Sequence, residues 1–291
     1  MRALVISGGS VKTSFSVGAL TYLLGDLELQ YNIISGISGG GIVASFISQF
    51  PLGQEKQASK ELSEIWLNIK TSDIFKLWGL LKRLQSIWNI GFYDSSPLHA
   101  LVKKNISLEK IRQANRNIFI GATNLSSGKY TTFNQSDDNF IDAIVAGASI
   151  PGLFKPIEIG NSIYCDGGIK NMSAIASAIQ FGATEIDLII TNPETRINKF
   201  VEKPNIIQVL KRSLDLSTDR LMAHEIESVL MHNKLVKAGA EPDKKEIKLN
   251  IIRPKHNLIE DLLDFNPEKI RAMMNIGYLD AKEKFENEKI L

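Results

Sequence analysis

Short apolar runs alternate with longer stretches of helical periodicity along most of the chain. Apolar runs that end in glycine or polar residues predict buried strands, and apolar positions three or four residues apart predict helices. Strands are predicted at residues 3–6, 31–34, 118–122, 130–133, 157–159, 162–165, 185–191 and 247–253. Helices are predicted at 14–24, 41–47, 94–104, 139–148, 171–181, 206–238 and 267–287, with further helical segments between 51 and 90. This alternation predicts an α/β protein with a mostly parallel central sheet and helices on both faces.

Residues 51–116 are interpreted as a helical insertion within one domain that covers residues 1–291. Inside it, Leu77 to Leu84 is apolar with a basic edge. Such a stripe is either an amphipathic face that engages lipid or, more commonly, part of a packed core. The apolar residues between 74 and 90 are therefore a candidate lipid-binding face.

Composition and charge restrict the kinds of partner and compartment that we expect, but they do not indicate a reaction. The 291 residues carry 34 basic and 32 acidic side chains, a net charge of +2, so nothing indicates a nucleic acid partner. The lone cysteine, Cys165, excludes an internal disulfide and fits a reducing compartment. No apolar stretch is long enough for a membrane span, and the N-terminal run is too short for a signal peptide. We therefore expect a cytoplasmic protein.

A G-x-S-x-G pattern, Gly36-Ile37-Ser38-Gly39-Gly40, lies between a predicted strand and a predicted helix. This context presents a serine hydroxyl on a sharp turn above a sheet, as in the nucleophile elbow of serine hydrolases. Side chains at Gly36 and Gly40 would collide where the strand and the helix nearly touch. The free N–H groups at the start of the helix favour developing negative charge. The alternative is a glycine-rich turn without chemistry.

A second strand–turn–helix unit begins the chain, with the turn Ser7-Gly8-Gly9-Ser10-Val11-Lys12-Thr13. A glycine turn between a strand and a helix has the shape of an anion-binding loop. Neither common nucleotide-binding glycine pattern is present, which makes a nucleotide phosphate the less favoured anion. The favoured anion is the oxyanion of an acyl-transfer intermediate, held by backbone N–H groups.

The serine requires a base, and two kinds are available. A Ser–His–Asp esterase or thioesterase would use a histidine late in the chain, His256 or His224. A Ser–Asp dyad would use Asp166, which ends a predicted strand and precedes Gly167 and Gly168. Glycines at these positions allow the serine or another backbone to approach the carboxylate closely. The histidines show no metal-binding spacing, and no metal or cofactor is expected.

Together these motifs resemble the patatin-like phospholipase family. A glycine loop with a basic residue is followed by G-x-S-x-G and, more than a hundred residues later, by Asp-Gly-Gly. Segments 119–128, 148–156 and 265–278 also resemble landmarks of that family, so the likeness covers nearly the whole chain. It implies a three-layer α/β/α fold with the serine on a nucleophile elbow.

The resemblance also implies a serine lipid acyl hydrolase of the phospholipase A or lysophospholipase type, without metal. Ser38 would attack the acyl carbonyl and form an acyl-enzyme, and Asp166 would accept the proton. The loop Gly8-Gly9-Ser10 would hold the oxyanion, and Lys12 would support the loop or contact a lipid phosphate. The partner would be membrane phospholipid or lysophospholipid, reached at the peripheral membrane surface.

Two positions depart from the family's loop pattern, G-G-G-x-[RK]-G. Ser10 stands in place of the third glycine, and Thr13 in place of the last. The donors are backbone N–H groups, so neither change removes them, but Ser10 is strained if the loop requires positive φ. Thr13 falls at a predicted helix start, where threonine is a good N-cap. A relative that binds lipid without cutting it therefore stays an alternative.

Overall fold

The computed structural model describes residues 1–78, 91–194, 206–259 and 261–288. Its strands are β1 (Arg2–Ile6), β2 (Ile33–Ile37), β3 (Lys76–Leu77), β4 (Gly91–Asp94), β5 (Asn117–Asn124), β6 (Tyr130–Asn134), β7 (Gly152–Phe154), β8 (Ile157–Ile159), β9 (Ser162–Asp166), β10 (Glu185–Ile189) and β11 (Lys248–Ile252). Its helices are α1 (Thr13–Leu20), α2 (Gly39–Ile47), α3 (Glu55–Asn68), α4 (Thr71–Ile74), α5 (Ser96–Asn105), α6 (Leu108–Ala114), α7 (Phe140–Gly147), α8 (Ile175–Gln180), α9 (Ile206–Lys237) and α10 (Pro267–Glu288). Most of the candidate lipid-binding face, residues 79–90, lies outside the described residues.

The central sheet has the strand order β11-β10-β1-β2-β5-β9-β8, and β6 also pairs with β5. The five strands from β11 to β5 are parallel, as the alternating pattern predicts. In contrast, β6, β8 and β9 run antiparallel to their neighbours. The loops that follow β1 and β2 therefore leave the same edge of the sheet, which is where ligand sites form in such folds.

Helices cover both faces of this sheet and give three layers. Side chains alternate along β1: Leu4 and Ile6 join the core formed with α1, α2, α3, α7 and α10. Ala3 and Val5 join the second core, formed with α8 and α9 on the other face. A mostly parallel sheet with helices on both faces is the predicted architecture.

Residues 76 and 77 depart from the helical prediction. They form β3, which pairs with β4, and β4 pairs in turn with β7 in a second, three-stranded sheet. The ring of Phe75 lies 4.6 Å from that of Tyr93 and 6.0 Å from that of Phe154, measured between centroids. These aromatic contacts join segments far apart in sequence, so local helical periodicity does not reveal them.

A buried ion pair ties the segment after α2 to the sheet. The Arg116 guanidinium donates to Glu55 Oε1 at 2.6 Å and to the carbonyl oxygens of Tyr31 and Pro51. The side chains of Arg116 and Glu55 are only 1% and 2% exposed. Each charge therefore depends on the other for its stability in the interior.

The longest helix, α9, has 32 residues and carries exposed apolar side chains, among them Leu214 and Met231. Its length alone would suffice to span a bilayer. Across the part of the chain that the structure describes, however, no helix has both the length and the apolar character that a membrane crossing requires.

Candidate active site

Ser38 lies at the turn between β2 and α2. Its backbone has φ 55° and ψ −130°, a conformation that residues other than glycine rarely adopt. The Ser38 carbonyl accepts hydrogen bonds from the N–H groups of Gly41 and Ile42, so α2 begins directly after the turn. The predicted nucleophile elbow is therefore present in its geometry.

The glycines around this turn permit a close backbone approach. A Cβ atom on Gly36 would lie 2.3 Å from the Gly40 carbonyl oxygen, and one on Gly40 would lie 2.5 Å from the Ile6 carbonyl oxygen. Both obstacles are backbone atoms, so no side-chain rotation relieves them. A Cβ atom on Gly8 would lie 3.1 Å from Ser38 Cβ, which brings the first glycine loop against the elbow.

The register of the sheet brings Asp166 to Ser38, although 128 positions separate them in sequence. Strand β5 lies between β2 and β9, and its Ala122 pairs with Asp166 at the end of β9. The Ser38 hydroxyl donates to Asp166 Oδ2 at 2.6 Å. The Gly168 N–H donates to Asp166 Oδ1 at 2.7 Å. The serine and the aspartate singled out in the sequence are thus in direct contact.

The two glycines after Asp166 have separate roles. A Cβ atom on Gly167 would lie 2.4 Å from the Gly121 carbonyl oxygen, so this position requires glycine for the chain to pass β5. Gly168 supplies the N–H that orients the carboxylate. Thr123 Oγ1 donates to the Asp166 carbonyl oxygen at 3.0 Å and holds its backbone.

Burial raises the pKa of Asp166 to about 6, although hydrogen bonds from Ser38 and Gly168 act to lower it. The side chain is in the interior, with only 6% of the residue exposed. A carboxyl group with this pKa is largely ionised at neutral pH and yet is more basic than an ordinary aspartate. Asp166 is therefore suited to accept the proton of Ser38.

The loop after β1 lies beside the elbow. Its three candidate oxyanion donors, the backbone N–H groups of Gly8, Gly9 and Ser10, differ in whether they already have an acceptor. The Gly8 N–H donates to the Met172 carbonyl oxygen at 3.4 Å. Gly8, Gly9 and Ser10 all line the cavity that contains Ser38 and Asp166. Because the Gly8 N–H already has an acceptor, Gly9 and Ser10 are the better candidates for oxyanion donors.

Ser10 does occupy the left-handed region, with φ 51°, so the loop requires positive φ where the family pattern has its third glycine. Its hydroxyl donates to the Leu262 carbonyl oxygen at 2.7 Å. The Val11 N–H donates to the same oxygen at 3.4 Å. Serine is strained at this φ, whereas glycine would not be. The hydroxyl of Ser10 makes a hydrogen bond that glycine cannot make, and this bond offsets the strain.

Of the other two loop residues, Lys12 supports the loop, whereas Thr13 is not the N-cap that the sequence predicts. Lys12 is 8% exposed, and its Nζ donates to Asn192 Oδ1 at 2.9 Å, which supports the loop at the edge of the cavity. Thr13 makes no N-cap hydrogen bond, because Lys12 is the cap residue and already has helical angles. Thr13 Oγ1 instead packs against Gly39, and a Cβ atom on Gly39 would lie only 2.4 Å from this oxygen.

The histidines that a Ser–His–Asp site would use lie elsewhere. His256 and His224 are exposed. His99 contacts Asp142, and His232 contacts the Lys245 carbonyl oxygen. None of these four lines either cavity that contains Ser38. The geometry favours the Ser–Asp pair.

Three contributors to the site have no motif of their own. Leu262 supports the Ser10 loop, and Thr191 Oγ1 donates to the Gly8 carbonyl oxygen at 2.6 Å. Glu225 of α9 accepts from the N–H groups of Met172 and Ser173 at 2.5 and 3.1 Å, behind Asp-Gly-Gly. Of these three residues, only Thr191 could be found from the sequence, because it ends a predicted strand at the same edge of the sheet as Ser38.

Two matches to known proteins each cover more than half of the sequence. Residues 4–179 match the family described as patatin-like phospholipase. The chain is 22% identical over 277 residues to the "Probable lipid hydrolase 463L" of Invertebrate iridescent virus 6, with 86% of this chain and 92% of that protein covered.

Two solved structures share a looser likeness. VipD from Legionella pneumophila has 13% identity and a TM-score of 0.46, with 98% of this chain and 67% of VipD covered. A chain of the ExoU–SpcU complex from the type III secretion system of Pseudomonas aeruginosa has 14% identity and a TM-score of 0.36; 99% of this chain aligns with only 51% of that one. Since the family match extends over more than half of the sequence, the chain belongs to the patatin-like phospholipase family.

Proposed function

We propose that this protein is a serine lipid acyl hydrolase that cleaves fatty acyl esters of phospholipids or lysophospholipids through Ser38 and Asp166. The observation that carries the proposal is the 2.6 Å hydrogen bond from the Ser38 hydroxyl to Asp166 Oδ2 on a strained elbow. The family match supports lipid hydrolysis in general. The dyad and the ester class are our inference.

In the first half-reaction, Ser38 Oγ attacks the ester carbonyl carbon while its proton passes to Asp166 Oδ2. The tetrahedral intermediate then breaks the ester bond, and Asp166 returns the proton to the departing alcohol oxygen. In the second half-reaction, water attacks the acyl-enzyme and loses a proton to Asp166, and the fatty acid leaves as Ser38 regains its hydrogen.

The negative charge on the former carbonyl oxygen requires donors that are in place beforehand. The N–H groups of Gly9 and Ser10 are proposed for this task, with the hydrogen bond from Ser10 to Leu262 holding the loop. In other hydrolases the loss of one such donor lowers kcat by about 10² to 10³. Leu262 lies far outside the motifs, so its carbonyl acts by positioning.

The test is product analysis with vesicles of mixed phospholipid and lysophospholipid. The native protein is expected to release fatty acid, whereas Ser38→Ala and Asp166→Asn release it at least about a hundredfold more slowly. Thermal unfolding of both variants checks that they fold. Equal fatty acid release by Ser38→Ala would refute the proposed nucleophile, and release of nothing by the native protein would favour a lipid-binding relative.

We also propose that the mouth of the site docks on a membrane surface. The mouth is the cavity that both Ser38 and Asp166 line. Ile169 and Leu214 line the cavity around Ser38 and are 45% and 61% exposed. Phe92, 66% exposed, lies on β4 next to β7, which begins directly after the mouth residue Pro151. An exposed apolar rim of this kind around a lipid site suits insertion into the interfacial region of a bilayer.

Basic residues flank this rim. Lys155 and Lys170 are exposed and follow the mouth segments that contain Pro151 and Ile169. Lysines beside an apolar rim favour an anionic bilayer surface, each by about 1 kcal/mol near the membrane. The expected partner is therefore a bilayer that contains anionic phospholipid.

Co-sedimentation with vesicles of phosphatidylglycerol and phosphatidylethanolamine tests the docking surface. Phe92→Ser and Leu214→Ser are expected to weaken binding while the hydrolysis of a soluble short-chain ester is retained. Leu279→Ser is the matched control, because Leu279 is a 52% exposed leucine on α10, outside the cavities that contain Ser38. Unchanged vesicle binding by both rim variants would place the docking surface elsewhere.

A further inference from the structure

A narrow apolar slot of about 50 Å³ opens at Ser38. Partly buried Ile42 and buried side chains from several elements line it: Trp66, Ile74, Leu98, Phe154 and Phe265. Among its lining residues, Ser10 and Ser38 supply the hydroxyl groups. The Trp66 indole N–H does not face an open position, because it donates to Ser14 Oγ at 3.1 Å. The slot is thus apolar except at its Ser38 end.

The slot and the mouth meet at the nucleophile. Ser10, Ser38 and Ile150 line both, but the mouth has a volume of about 300 Å³ and is also lined by Lys12 and Asn192. An ester whose carbonyl lies at Ser38 therefore has its acyl part and its alcohol part in different cavities. Polar groups are costly to bury without partners, so the apolar slot suits the acyl chain and the wider mouth suits the polar alcohol.

Two residues form the far wall of the slot. Ile69 and Leu101 line the slot, and both also line an outer depression of about 460 Å³. That depression is polar, with Glu61, Asn68 and Lys104 along its sides. Ile69 and Leu101 therefore separate the apolar slot from the outer depression.

We propose that Leu101, together with Ile69, is the stop that limits the length of the acyl chain the enzyme accepts. This inference rests on the proposed function and adds a specificity-determining contact to it. Leu101 is partly buried on α5, and Ile69 follows α3, so the stop is built from the segment between α2 and β5. The hydrocarbon chain of the ester fills the slot from Ser38 until it meets these two side chains.

The expected length dependence follows from the burial of methylene groups. Each methylene that enters an apolar site gains a factor of about four in kcat/KM. The gain ends where the chain reaches Leu101. Truncation to alanine joins the slot to the outer depression, so longer chains continue to gain, and enlargement to phenylalanine shortens the usable slot.

The experiment measures kcat/KM for a series of p-nitrophenyl esters from butyrate through octanoate and laurate to palmitate. In Leu101→Ala, the ratio of octanoate to butyrate is expected to rise on the order of tenfold, the gain of two or so methylene groups. Leu101→Phe is expected to lower the ratio of laurate to butyrate. Leu101→Met, close in volume, is the matched control and is expected to keep the native profile.

Ile69→Ala provides a second route to the same result if Leu101→Ala folds poorly. An unchanged length profile in the folded alanine variants would overturn the stop, while Ser38→Ala would still report on the nucleophile separately. If native turnover of these esters is too slow, alkyl fluorophosphonates of the same chain lengths give the comparison through labelling rates at Ser38. A native protein that neither turns over esters nor takes the label would overturn the proposed function instead.

Discussion

Asp166→Asn is expected to stabilise the fold while it abolishes hydrolysis. The folded pKa of Asp166 is raised to about 6 by burial, against roughly 3.9 for an unfolded aspartate. The folded state therefore binds this proton more tightly, and stability falls as pH rises from about 4 to 6. Above pH 6 the ionised carboxylate costs about 3 kcal/mol, at 1.36 kcal/mol for each pKa unit. Asparagine keeps the shape of the side chain and removes that cost.

Urea unfolding followed by tryptophan fluorescence at pH 8 and pH 4 measures this difference. At pH 8 the variant is expected to be more stable by about 3 kcal/mol, or roughly 5 °C in Tm; at pH 4 the two proteins are expected to converge. Asp187→Asn is the matched control. Asp187 is also buried but accepts hydrogen bonds from Arg2, Tyr31 and Asn250, so the loss of its charge removes the nearer ion pair of Arg2 and destabilises the fold. If Asp166→Asn is no more stable than the native protein at pH 8, the ionised Asp166 carboxylate does not destabilise the fold.

The pH dependence of Asp166, the Ser10 loop and the buried Arg116–Glu55 pair can each be tested. The kcat/KM for a soluble ester is expected to rise with pH through about 6 as Asp166 ionises, and a profile flat from pH 5 to 8 would contradict its role as the base. Ser10→Ala keeps the positive φ but loses the bond to Leu262, so urea unfolding is expected to show a loss of about 1–2 kcal/mol, whereas Ser10→Gly stays near native. Arg116→Met is expected to destabilise the fold by about 3–5 kcal/mol by leaving Glu55 buried alone, and adding Glu55→Met is expected to recover most of that loss; no recovery would contradict the pairing.

The parts of the site that depend on one short motif were predictable from the sequence. Gly36 and Gly40 mark a strand–helix contact by their steric requirement alone, and Asp166 ends a strand before two glycines. The contact between Asp166 and Ser38 depends on the pairing of β5 with β2 and β9, which the linear sequence pattern does not show. The family resemblance supplied that step.

Other features arise from contacts between distant segments. The strain at Ser10 is offset by Leu262, which lies 252 positions later and carries no motif. The Gly8 N–H lies 3.4 Å from the Met172 carbonyl oxygen, and a Cβ atom on Gly8 would lie 3.1 Å from Ser38 Cβ, two contacts that the glycine pattern does not reveal. Strand β3 was predicted as helix because its partner, β4, is not adjacent in sequence. Local propensity does not predict any of these contacts.

The central claim is that Ser38 is the nucleophile and that Asp166 activates it. The most direct measurement is intact-protein and peptide mass spectrometry after exposure to an alkyl fluorophosphonate. One phosphonyl group is expected on the peptide that contains Ser38, with labelling at least about a hundredfold slower in Asp166→Asn. Labelling at another residue, or equally fast labelling in Asp166→Asn, would rule out these roles for Ser38 and Asp166.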